Sequence, residues 1–200
     1  MLKLFNGDQG NYIIKLEKIL AKRKLSNSKK NVAIKKIIAD VKKNKDKALI
    51  KYENKFSNYK AYNKNNLKFS NAELKNTIKK LDKETKYSID LAYKRIFHFH
   101  KNQKFKPYKL KDKFNNMLSY SSNPIENIGV YVPGGTASYP STVLMNCIPA
   151  IIAGVKNIFM TTPSTNNNFN PAVLYAAQKC KVKEIYKVGG AQAIAALTFG

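Results

Sequence analysis

A short β-prone run, Ile128–Val132, ends in Pro133-Gly134-Gly135, and a helical pattern starts soon after it. Strand, glycine turn and helix in that order commonly build a ligand-binding edge in α/β proteins. A second strand-like run ends in Val188-Gly189-Gly190 and turns into Ala191-Gln192. Two such turns leave few architectures open, because a strand that feeds a helix and returns as a parallel strand does so by a right-handed crossover.

The pattern between the two turns completes the unit. Strands are expected at Ile128–Val132, Asn157–Thr161 and Glu184–Val188. Helices are expected from a Ser141 cap to Ala153, from Pro171 to Lys179, and from Ala191 to Phe199. Pro149 should kink or split the first of these, Gly154 should end it, and Pro171 suits the first turn of the second. The alternation β-α-β-α-β-α predicts an α/β fold with a parallel sheet and crossover helices. Three parallel strands need cover on both faces and further strands. The chain therefore reads as incomplete at its C-terminus, the N-terminal portion of a longer protein.

Upstream of residue 120 the chain changes character. It carries 32 of the 37 basic residues and 10 of the 12 acidic ones, and no glycine lies between Gly10 and Gly129. This part reads as helical and solvated. Asn11–Lys22 is expected as a short helix. Asn31–Phe56 is expected as a longer one, with Ile34, Ile37, Ile38, Val41, Ala48, Leu49 and Tyr52 at roughly helical spacing. Segment 57–68 reads as a loop, with a short strand at Leu67–Phe69. Ser70 and Glu73 have capping-box spacing, and Phe69 can staple against Leu74. The helix that follows places Leu74, Ile78, Leu81, Ile89, Ala92, Ile96 and Phe99 on one face. Lys104–Leu110 and Asn116–Ser121 suggest a hairpin.

The formal charge of +25 admits a basic nucleic-acid-binding or scaffold protein on an α/β core. The residues favour another origin. Only Arg23 and Arg95 are arginine, while asparagine, isoleucine, tyrosine and phenylalanine are plentiful and tryptophan is absent. These are the residues that A- and T-rich codons encode. A site that grips phosphate tends to recruit arginine for its planar fork of donors. No specific nucleic acid is therefore expected as a partner.

Cys147 and Cys180 stand far apart in sequence, without a Cys-x-x-Cys, and read as reduced, buried, structural thiols. His98 and His100 are two apart on a helix and point to different sides, so they cannot share a metal. No signal peptide or membrane-length apolar run is evident, and a cytoplasmic location is expected. Tyr131 near the end of one strand and Gln192 just past another sit where open parallel sheets bind ligands. Their chemistry suits a base, ribose or amide contact. Core packing for Tyr131 and helix capping for Gln192 are the alternatives. No Gly-x-Gly-x-x-Gly occurs.

The same residues resemble a known family. Ile128–Ala137, Tyr139–Met145, Ile148-Pro149-Ala150, Ala153-Gly154-Val155, Leu174–Gln178 and Lys187–Leu197 are similar to histidinol dehydrogenase. The likeness runs almost without gaps over 124–200. It is looser upstream, through Asp46–Leu49 and through Ile96, Phe99, His100 and Gln103. The resemblance implies a zinc-dependent homodimer with Rossmann-like domains that lack the usual glycine fingerprint. It implies oxidation of L-histidinol to L-histidine with two NAD, through an aldehyde, at the end of histidine biosynthesis. Tyr131 and Gln192 fall on positions that contact NAD in the family. The zinc ligands and the Glu-His acid/base pair are expected beyond residue 200, so these 200 residues alone should be inactive. The implied division is an N-terminal helical arm over 1–30, a helix-rich part of a first domain over 31–123, and a truncated Rossmann-like domain over 124–200. Family members usually carry a glycine-containing turn and a basic residue before the first strand. Here Lys113–Asn127 has no glycine and Asn127 replaces the basic residue, which bears on the hairpin more than on activity.

Overall fold

The structure is a computed structural model that describes residues 11–26, 28–57, 61, 63–134, 139–164 and 169–199. Strands β3 (Asn127–Tyr131), β4 (Asn157–Thr161) and β5 (Glu184–Tyr186) form a parallel sheet in the order β3-β4-β5. The register pairs Asn127 with Asn157, Tyr131 with Thr161, and Thr161 with Tyr186. Helices α6 (Pro140–Ala153), α7 (Pro171–Lys179) and α8 (Gly190–Phe199) follow the three strands in turn. This is the expected α/β arrangement, preceded by the expected helical region.

Period-two alternation along the strands divides the core between the two faces of the sheet. Ile128, Val130, Ile158, Met160 and Ile185 point to one face, where α4 (Asn71–Ile78), α5 (Lys83–Lys101), α6 and α7 cover them. Tyr131 and Tyr186 point to the other, against α8 and the long helix α2 (Ser28–Phe56). Val41, Ala48 and Tyr52 of α2 then pack on Ala195 of α8. The lysine-rich helical part therefore supplies half of each covering layer. Gly129 is what lets α8 lie close, since a Cβ there would stand 2.8 Å from Leu197 Cδ1.

The upstream elements include a short helix α1 (Tyr12–Ser26) and a one-turn helix α3 (Lys64–Leu67), which interrupts the expected 57–68 loop. Residues 67–69 run antiparallel along β5, bridging at Lys68 to Tyr186, and the Phe69 N–H donates to the Ile185 carbonyl at 2.9 Å. The Ser70 capping box forms as read: the Glu73 N–H donates to Ser70 Oγ and the Ser70 N–H to Glu73 Oε2. A hairpin, β1 (Tyr108–Lys111) with β2 (Met117–Tyr120), is also present. Its turn needs no glycine. Asn115 adopts φ 67°, and the Asp112 carboxylate accepts the N–H groups of Phe114 and Asn116. Asparagine and aspartate make such turns because their side chains replace backbone partners.

Further details differ from expectation, beginning with β5, which ends at Tyr186 rather than Val188. The helix after Ser70 is two helices, because Asp82 takes the Thr85 N–H at 2.7 Å and starts α5 afresh. Phe99, placed on the buried face, is exposed. Helix α6 begins with Pro140 at its first turn, preceded by Tyr139 without a side-chain cap, so Ser141 is not the cap; Pro149 sits inside α6 without ending it. Helix α2 breaks its helical geometry at Lys45, at φ 50° and ψ −130°. Gly154 ends α6 in the left-handed conformation, as read.

Candidate functional site

The carboxyl edge of the sheet gathers the ends of all three strands. Pro163, after β4, wedges between the two glycine turns. A Cβ on Gly134 would stand 2.7 Å from its Cγ, and one on Gly189 would stand 2.5 Å from its Cβ. Glycine is required here by close approach rather than by flexibility. Gly190 adds a positive φ of 68° as the chain turns into α8. Gly135, the other half of the first turn, lies outside the described residues.

Hydrogen bonds fix the three ends to one another. The Val132 N–H donates to the Thr161 carbonyl at 2.9 Å, and the Thr162 N–H to the Tyr186 carbonyl at 3.0 Å. The Thr161 hydroxyl donates to the Val188 carbonyl. The Gly190 N–H donates to the Tyr131 hydroxyl at 3.2 Å. That last bond joins the strand before the first glycine turn to the helix start after the second.

Beside this edge lies a cleft of about 460 Å³. Pro163, Ser164, Gly189, Gly190, Ala191 and Gln192 line one side of it, and Ile34, Ile37, Glu53, Phe56 and Ser57 the other. Gln192 is 3 % exposed and lines the cleft directly. Its side-chain amide folds back over Gly190, where a Cβ would meet Gln192 Oε1 at 2.7 Å. Tyr131 meets the cleft through Gly190. The two residues singled out in the sequence thus flank one glycine turn.

Glu53 was not singled out. It is 1 % exposed, on α2, and its Oε2 accepts the Gly189 N–H at 3.4 Å. Among the described residues its Oε1, which is buried, has no hydrogen-bond partner, and neither has the buried Oγ of Ser164, which lines the same cleft. Burial pushes the Glu53 carboxyl above the usual carboxylate range, and the neighbouring Ser57, Gly189 N–H and Gln192 offset only part of that. A signal for Glu53 did exist. It lies four residues after buried Leu49, on the stripe that faces the sheet, where a lone carboxylate is costly. Ser164, in a loop, carried no comparable sign.

A second buried charge lies just before the turn. Lys187 is 3 % exposed, and its Nζ stands 2.5 Å from Glu73 and 5.0 Å from the centre of the Phe69 ring. Lys187 draws the Glu73 carboxyl below its ordinary value despite the opposing effect of burial. The pair ties the start of α4 to the end of β5. Cys147 on α6 and Cys180 at the C-terminal end of α7 are both buried free thiols of the core, and neither lines the cleft. Among the described residues no group of three His, Cys, Asp or Glu could hold a metal ion, and no helix is long and apolar enough to cross a membrane.

A family model described as histidinol dehydrogenase matches residues 20–200. Over its whole length the chain is 49 % identical to the histidinol dehydrogenase of Pelagibacter ubique (strain HTCC1062), covering 46 % of that protein. It is 42 % identical to that of Carboxydothermus hydrogenoformans, over 84 % of this chain and 39 % of the relative. The crystal structure of histidinol dehydrogenase from Elizabethkingia anophelis matches with a TM-score of 0.79 at 40 % identity, over 85 % of this chain and 39 % of that one. The chain therefore spans less than half the length of these relatives. Sequence motifs, sheet topology and matched length agree, and the chain belongs to the histidinol dehydrogenase family.

Proposed function

We propose that this chain is the cofactor-binding portion of a histidinol dehydrogenase that oxidises L-histidinol to L-histidine with two NAD in histidine biosynthesis. The observation that carries this reading is the cleft at the carboxyl edge of the sheet, lined by Gly190 and Gln192 with the Tyr131 hydroxyl hydrogen-bonded to Gly190, in a member of that family. Open parallel sheets place dinucleotides at this edge. The residues present fit such a group: Glu53 and Ser164, which line the cleft, each carry a buried polar atom that has no hydrogen-bond partner among the described residues. Tyr131 and Gln192 would hold NAD, and when bound it would accept hydride from the alcohol and then from the aldehyde. This chain's own contribution is to fix the glycine turns against Pro163, to orient Gln192, and to present an apolar wall of Ile34, Ile37 and Phe56 to the cleft.

The residues described here do not fit a zinc site, so no step is assigned to the metal within them. Its ligands and the proton-transferring groups would come from chain beyond residue 200, and residues 1–200 alone are expected to be inactive. The protein would act as a homodimer in the cytoplasm.

The test is NADH formation from L-histidinol by the intact protein, with two NADH expected per histidine and loss of activity on treatment with a strong chelator. Tyr131→Ala and Gln192→Ala should each raise the KM for NAD roughly tenfold, about the worth of one hydrogen bond. Unchanged kinetics in both variants would remove them from the cofactor site. A folded, metal-loaded protein without turnover would overturn the activity.

A further inference from the structure

Glu53 is a buried carboxylate at the mouth of a glycine turn, a place where a Rossmann-like sheet more often receives an anion. A phosphate would ordinarily use the turn's N–H groups. Here both already have acceptors, Gly189 N–H in Glu53 and Gly190 N–H in the Tyr131 hydroxyl. What two residues lining the cleft carry instead, among the described residues, is a buried acceptor without a partner, Glu53 Oε1, and a buried hydroxyl without one, Ser164 Oγ. Buried polar atoms rarely stay without partners, and two in one cleft point to a ligand that supplies them. The matching chemistry is a neutral donor rather than an anion. Vicinal hydroxyls meet that description, since a carboxylate accepts from a diol and repels a phosphate placed on it.

We infer that Glu53, with Ser164 beside the same cleft, is a specificity-determining residue that receives a ribose hydroxyl of the dinucleotide and excludes a cofactor carrying a 2′-phosphate. The inference rests on the proposal that this cleft binds NAD. It assigns Glu53 to positioning and selection, not to the chemistry at the substrate. Phe56, one turn along α2 and also lining the cleft, makes α2 the element that brings this selection to the sheet.

The experiment is calorimetric titration of the intact protein with NAD and with NADP, for the wild type, Glu53→Gln, Glu53→Asp and Ser164→Ala. The wild type should bind NAD at least tenfold more tightly than NADP, and Glu53→Gln should reduce that ratio by about tenfold or more, the effect of removing one like-charge contact. Glu53→Asp, which keeps the charge, should retain most of the preference. Ser164→Ala should weaken both dinucleotides alike. A Glu53→Gln protein that folds and keeps the wild-type ratio overturns the inference while leaving the NAD reading intact. If Glu53→Gln does not fold, the wild type decides: equal affinity for NAD and NADP overturns the inference. Binding of neither dinucleotide overturns the NAD reading itself and the inference with it.

Discussion

Lys45 holds a backbone conformation that side chains with a Cβ rarely adopt, at φ 50° and ψ −130° in the interior of α2. Such a residue costs on the order of 1–3 kcal/mol and persists because its surroundings impose it. Here the kink lets Val41 on one side and Ala48, Leu49 and Tyr52 on the other all reach buried positions. The Lys45 ammonium also donates to the Phe199 carbonyl at the end of α8, an exposed bond of small worth. Lys45→Gly should therefore stabilise the protein, by about 1 kcal/mol in urea unfolding; a loss of stability would show that the kink carries no strain. Glu53 stores a different cost. Its carboxyl is pushed up by burial, so the folded state favours the neutral form. Its contribution is fully present below the ordinary carboxylate pKa and is lost as pH rises through the raised folded value. Glu53→Gln should accordingly raise the melting temperature of the ligand-free protein near pH 8, and the gap to wild type should close by about pH 4. A gap that stays constant with pH would remove the buried charge as its cause.

At the level of elements, caps decide what apolar periodicity leaves undecided. The stripe Leu74, Ile78, Leu81, Ile89 runs through the junction of α4 and α5 without a break, so the spacing predicts one helix. The division comes from Asp82, whose carboxylate takes the Thr85 N–H and lies below its usual pKa for that reason. Asp82→Ala should cost about 1 kcal/mol, and Asp82→Asn much less, because an asparagine oxygen still caps; equal losses would show that the charge rather than the cap matters. The strands and α6 to α8 were legible because their signals are local: β-branched runs, glycine at 154, proline at 171. The same holds for Ser70 and Glu73, and for Tyr131 and Gln192, which stand next to the glycine turns in sequence as well as in space. Glu53 was harder to see because its partner, the Gly189 N–H, is 136 residues away. The kink at Lys45 was invisible for a related reason, since only packing against α8 selects it over a straight helix.

For the molecule as a whole, the decisive contact is the one that presses the α2–α8 layer onto the sheet. The cleft exists between that layer and the carboxyl edge, with Glu53 and Phe56 on α2 facing Gly189 to Gln192 at the start of α8. Its width is therefore set by how closely α8 lies on β3. Gly129 sets that distance, with an added Cβ meeting Leu197 Cδ1 at 2.8 Å and its Cβ and Cδ2 at 3.0 Å. Leu197 is half-buried, but its Cβ stands as close as its methyls, so a change of rotamer alone does not clear the added methyl. Gly129→Ala should cost about 2 kcal/mol by overpacking. Leu197→Ala should cost a similar amount by lost burial and a residual void. The two changes relieve one another, because the alanine methyl enters space that the leucine methyls leave. The double variant should be more stable than the sum of the single losses by at least about 0.5 kcal/mol in urea unfolding. Strict additivity would mean that α8 shifts as a body when Gly129 is filled. In that case Gly129→Ala should also loosen dinucleotide binding in the cleft, although residue 129 is not among the residues that line it.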